Sequence, residues 1–245
     1  MIQEYKEPRF PTATLSPEVD SHIEMTHQDN SDFENFLAGL DFEVQKCSPS
    51  PQSIEQLREA YSLPIFNRVS MLLAALGEKP ASSVVISSED WRTGELENDL
   101  PEYIASKVFE SATALGLHVR TRDILDSNEE LDTHWKSRLY SVSLSERNAE
   151  VLAQVMWSKD PVDELILGKV LGFPDTAVVA YATQGEMVSS DEHPHETLED
   201  KTFTQFRLSA GNYNAELQTV RRWTHAIKQA DQIFYNQAMR TRLLL

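Results

Sequence analysis

The chain has 245 residues, with 22 Lys and Arg, 39 Asp and Glu, 8 Gly, 11 Pro and one Cys, which suits one globular domain with a tail. A lone Cys47 excludes an internal disulfide, a zinc ribbon and an iron–sulfur cluster, so a reducing, cytoplasmic setting is expected. A net charge of -17 opposes binding to a phosphate backbone, and the few glycines include neither G-x-G-x-x-G nor G-x-x-x-x-G-K-[ST].

Residues 1–32 mix Pro8, Pro11 and Pro17 with acids, Ser and Thr and hold no sustained period, which predicts an extended or disordered arm. The start of the chain carries both charge signs without an apolar stretch, and no run approaches ~18 apolar residues, so neither a secretory signal nor a membrane span is expected. Phe33, Phe36, Leu37 and Leu40 have helical spacing, so residues 1–50 read as an acidic flexible arm with one short helix. Residues 51–245 read as a single α/β domain. Ser53 with Gln56 forms a capping-box pattern for a helix through Ile54, Leu57 and Tyr61. A second helix follows on Ile65, Val69, Leu72, Leu73 and Leu76, with Gly77 at its C′ position.

Ala81 to Ser87 reads as a buried strand, and Asp99 with Glu102 opens a helix that turns Ile104, Val108, Phe109, Ala112 and Leu115 inward before Gly116. Leu117 to Leu125 is the next strand, and the strand–helix–strand order predicts a right-handed crossover with the two strands parallel. After a polar linker, Asp126 to Thr133, the stretch Arg138 to Leu144 alternates as a strand. A helix starts near Ser145, and Asp160-Pro161 opens another that ends at Gly172. Val178, Val179 and Tyr181 are placed on a helix, residues 184–202 in an acidic loop, and Phe203 to Leu208 in a short strand. From Ser209, the residues Leu217, Val220, Trp223, Ile227, Phe234 and Ala238 make one apolar stripe on one long helix. The expected fold is a three- to four-stranded sheet flanked by helices, with a mainly helical C-terminal part.

Charge is unevenly placed. Residues 1–50 hold 10 acids and 3 bases, residues 51–200 hold 27 and 12, and residues 201–245 hold 2 and 7. The basic last segment is expected to dock on the acidic body. Its Arg and Lys lack the aromatic or glycine interleaving that would clasp bases. Protein or small molecule remain as partner classes; membrane and nucleic acid do not, and no cofactor is indicated.

Gly168 and Gly172 lie one helical turn apart and offer a side-chain-free notch to a backbone or a flat ligand; the competing reading is a tight helix–helix corner. The stretch Gly168-Lys169-Val170-Leu171-Gly172-Phe173-Pro174 resembles the G-x-x-L-G-[FY]-P motif of uncharacterised microbial domain proteins, and Phe206 to Ser209 with Arg221, Arg222 and Trp223 is similar to their C-terminal end. The resemblance implies a shared fold element and no activity. Thr176 and Ala177 stand where a cysteine pair can occur, which removes a thiol or metal role there.

His193, His195 and Glu196 could fill three positions of a zinc or nickel shell, against the reading of a solvated acidic loop. Ligands of α/β proteins tend to lie beyond strand C-termini. That rule singles out Asp90 and Trp91 after the first strand and Arg120, Arg122 and Asp123 near the end of the second; the competing reading is a core edge and surface ion pairs. Two functions follow as expectations. One is a binding or interaction module without catalysis. The other is a small-molecule transferase or hydrolase that uses Asp90, Arg120, Arg122 and Asp123.

Overall fold

The computed structural model describes residues 30–87, 102–128, 133–158, 160–183, 187 and 197–244. The expected arm over 1–29, the Asp99 cap, Asp90 and Trp91, and the histidine loop at 193–196 lie outside them. Three helices open the described chain: α1 (Asn30–Gly39), α2 (Pro51–Glu59) and α3 (Ile65–Ala75). Ser50, not Ser53, caps α2, accepting the Ser53 backbone N–H with Pro51 at the first helical position. Ser-Pro outcompetes the later capping box because proline lacks the N–H that would need a partner there. Tyr61 lies past the end of α2 and is exposed.

The sheet consists of β1 (Ser82–Ser87), β2 (His118–Asn128) and β3 (Thr133–Ser143), with α4 (Glu102–Ala114) between β1 and β2. Its order is β1-β3-β2, and both pairings are antiparallel. The expected crossover pair therefore runs in one direction but is not adjacent, because β3 inserts between its members. The expected linker is mostly strand: β2 continues to Asn128 and β3 begins at Thr133, so they form a long hairpin that reaches past the end of β1.

Register divides the sheet into two faces. Val84, Ile86, Tyr140 and Val142 face the main core with Val108, Ala112, Leu115 and the buried side of α3. Phe109 of α4 is 45% exposed instead, and meets Tyr140 of the core edge-on. Leu139, Ser141 and Ser143 face the other way, and α5 (Glu146–Val155) covers that side with Asn148, Ala149 and Leu152. A three-layer helix–sheet–helix arrangement results.

The C-terminal part is helical: α6 (Pro161–Val170), α7 (Asp175–Ala182), α8 (Leu198–Phe203), α9 (Tyr213–Ala230) and α10 (Gln232–Leu244). Asp160 caps α6 as the sequence indicates, accepting the Val162 N–H at 2.9 Å. Two expectations give way here. Phe203 ends α8, so no strand spans Phe203 to Leu208, and Thr197 with Asp200 makes a capping box inside the supposed acidic loop. The long terminal helix breaks at Asp231, whose extended backbone ends α9 and whose Oδ1 accepts the Ile233 and Phe234 N–H groups to start α10. Arg58 fixes the break from α2 by an ion pair to Asp231 at 2.7 Å.

Basic groups of α9 meet acids of the body, as the charge pattern suggests. Arg221 pairs with Asp200, Arg222 with Glu78 and Lys228 with Glu199. Burial pushes the Asp200 carboxyl up, but the bonds from Arg221 and Thr197 outweigh it and hold it below the usual carboxylate range. No helix among the described residues is long and apolar enough to cross a membrane.

Candidate functional site

Three glycines close helices by the same device. Gly77, Gly116 and Gly172 have φ of 70°, 72° and 74°. After each, the following N–H reaches back to the carbonyl five residues earlier, as in Phe173 N–H to Gly168 O at 3.0 Å. A Cβ at Gly172 would stand 2.9 Å from Pro80 Cδ and 3.3 Å from Lys79 Cα, so the end of α6 presses on the segment leading into β1. Gly168 answers a different need, since its Cβ would sit 2.5 Å and 2.9 Å from the two methyls of Val178. This is the helix–helix corner: α6 and α7 meet there. Gly168→Ala gains helix propensity of about 1 kcal/mol yet overfills the corner at a cost of about 1–3 kcal/mol. A net loss of Tm is expected, and Val178→Ala in the same chain should reverse it in thermal unfolding.

The corner also borders a cleft. Gly168, Leu167 and Leu171 of α6 and its C-cap form one wall, and Ala177, Val178 and Tyr181 of α7 form the other. Phe173 and Phe206, whose ring centroids are 5.2 Å apart, close the interior side, and Met156 and Trp157 form the rim. The volume is about 380 Å³, within the range of small-molecule sites. Two rim aromatics face solvent: Trp157 is 41% exposed and Tyr181 54%.

Trp157 is the one non-glycine residue with positive φ, at 63°, among the described residues. Met156 has φ -61° and ψ 128°, and Ser158 N–H bonds Val155 O at 3.0 Å. This is a type II turn with tryptophan in the position that normally needs glycine. Such a conformation costs roughly 1–3 kcal/mol for a bulky residue, and the exposed indole recovers little of it by burial.

The sequence-derived candidates fall in separate places. Arg122 donates to the carbonyls of Ala153, Gln154 and Met156, at 2.8 Å to Gln154 O, and so caps the end of α5 directly behind the Trp157 turn. Arg120 is engaged by Glu150 at 3.1 Å and by Glu146, on the same sheet face. Asp123 lies on the opposite face, bonded to Arg138 across the hairpin. All three sit in the first half of β2 rather than at its end. Gly168 lines the cleft, whereas Gly172 packs against Lys79 and Pro80. No group of three or more His, Cys, Asp or Glu that could hold a metal occurs among the described residues, and His193, His195 and Glu196 are not among them.

Sequence reasoning missed Trp157, Tyr181 and Lys79. Trp157 follows an apolar helix and reads as its continuation, and only the turn geometry reveals it. Lys79 is 3% exposed. Its Nζ donates to Gln205 Oε1 at 2.7 Å and Ser70 Oγ at 3.2 Å, and lies over the rings of Phe173 and Trp223 at 5.5 Å and 5.2 Å. Burial pushes its amine down to about 7. This ammonium site stands behind the aromatic floor of the cleft. No family model matches the chain, and neither a curated protein nor a solved structure matches it.

Proposed function

We propose that the protein is a binding module whose α6–α7 cleft takes a small, largely apolar molecule. The observation that carries the reading is Trp157, a strained and exposed aromatic in a glycine position at the rim of an apolar cleft. A fold optimised for stability alone would place Gly or Asn there. Backbone strain held by surrounding structure, here by the Arg122 cap on α5, is a feature of ligand sites. Exposed Trp and Tyr supply rigid contact area at small entropic cost. The glycine motif from Gly168 to Pro174 is, on this reading, the fold element that shapes the cleft wall.

Anilinonaphthalene sulfonate titrated against the folded protein should bind saturably at one site, with quenching of tryptophan emission. Trp157→Gly should raise Tm by relieving roughly 1 kcal/mol of strain while weakening the dye, and Tyr181→Ala should weaken the dye without raising Tm. The reading fails if the dye does not saturate, or if both variants bind it as the native chain does.

A further inference from the structure

Two charged side chains line the cleft, Glu164 from the first turns of α6 and Arg207 from the segment before α9. Neither makes a hydrogen bond or an ion pair, to each other or to any other group, among the described residues. Their neighbours differ in this respect: Lys169 is held by Asp175 at 2.7 Å, and Arg122 by the α5 carbonyls. An acid and a base thus stand apart on the wall of an apolar cleft, each without a charged partner among the described residues.

A ligand that fills the cleft covers the half-buried Glu164 and one side of the exposed Arg207, and takes part of the water from each. A purely apolar or singly charged occupant leaves at least one of them partly desolvated without a partner, which opposes binding. A ligand with both charges satisfies both. We infer that the cleft selects a zwitterion on an apolar body, with a free ammonium toward Glu164 and a free carboxylate toward Arg207, as in a short apolar peptide with both termini free. The Arg207 fork suits a carboxylate, and the exposed rings of Trp157 and Tyr181, which line the same cleft as Glu164, suit an ammonium. The volume of about 380 Å³ accommodates a dipeptide. This inference rests on the cleft reading and adds the ligand class.

The probe is phenylalanyl-leucine in four forms: free, N-acetylated, C-amidated and capped at both ends, each titrated calorimetrically. The free form should bind one to one, about three- to fivefold tighter than either singly capped form, the range that partly solvated ion pairs supply. Glu164→Gln should erase the discrimination against the N-acetylated form only. Arg207→Gln should erase the discrimination against the C-amidated form only. The inference is overturned if the doubly capped peptide matches the free one, if one singly capped form binds tightest, or if no peptide binds while the naphthalene dye still does. In those three cases the cleft reading stands, whereas loss of both peptide and dye binding removes it as well.

Discussion

Lys79→Met should invert its effect on stability between pH 7 and pH 10. In the unfolded chain the amine keeps its proton up to about 10.5, the ordinary lysine value, and in the fold only to about 7. Between those values the unfolded state binds more protons, so stability contributed by this group rises with pH across that window and is lowest at and below pH 7. A shift of that size corresponds to roughly 2–4 kcal/mol between pH 7 and 10, after the two rings' attraction for the charged form is allowed for. Methionine fills nearly the same volume and does not titrate. At pH 7 the variant sheds the burial cost of the ammonium and should match or exceed the native chain. At pH 10 the native amine is neutral in the fold and still mostly protonated in the unfolded chain, so all but about 1 kcal/mol of the cost of burying it has gone. The variant's chief loss is then the two bonds from the Lys79 amine, roughly 1 kcal/mol each at most, because Gln205 Oε1 keeps the Ser70 hydroxyl and Ser70 Oγ keeps the Ser82 hydroxyl. Urea unfolding of both chains over this pH range gives the comparison. Parallel curves would show that Lys79 does not titrate in the window.

Lys79 also illustrates what the sequence conceals. A lysine between Glu78 and Pro80 carries no local mark of burial; it is enclosed because Gly172, ninety-odd residues on, packs against its Cα and because Phe173 arrives from the α6–α7 turn and Trp223 from α9. Local signals were legible where they are sufficient in themselves: the Gly77, Gly116 and Gly172 helix ends, the Asp160-Pro161 start and the three strands. Strand order was not, since adjacency in sequence predicts β1 beside β2, whereas β3 takes the place between them through a hairpin of eleven-residue strands. The break at Asp231 was hidden for another reason. Ile227 and Phe234 are seven apart and keep one apolar stripe across the joint, so the period runs on while the backbone does not. Of the site, the glycine corner was legible; the cleft beside it was not, because its rim depends on one positive φ at Trp157 and on Phe206 and Arg207 from a segment without regular structure.

Glu216→Ala should be among the most damaging single changes outside the hydrophobic core. The side chain is 1% exposed, and its two oxygens accept three hydrogen bonds: Ser209 N–H on Oε2 at 2.7 Å, and the hydroxyls of Ser209 and Thr176 on Oε1, the latter at 2.7 Å. These tie the segment carrying Phe206 and Arg207, and the first turn of α7 carrying Ala177, to one turn of α9. Alanine leaves the buried N–H and hydroxyl of Ser209 and the half-buried hydroxyl of Thr176 without their acceptor and opens space beside them. Each such donor costs about 1–3 kcal/mol, so a loss of about 3–5 kcal/mol is expected, allowing for relaxation and non-additivity. At about 2–4 °C per kcal/mol for a chain of this size, Tm should fall by about 10 °C. Glu216→Gln separates hydrogen bonding from packing. Its carbonyl oxygen can keep both hydroxyls, but its amide group then meets the Ser209 N–H, donor against donor, at a cost of about 1–3 kcal/mol. Because the same carboxylate holds both sides of the cleft, the glutamine chain should bind the naphthalene dye more weakly while still folded at 25 °C. Equal stability of the two variants would mean that packing, not these three bonds, fixes the segment. A glutamine chain with native dye affinity would mean that the cleft walls do not depend on Glu216.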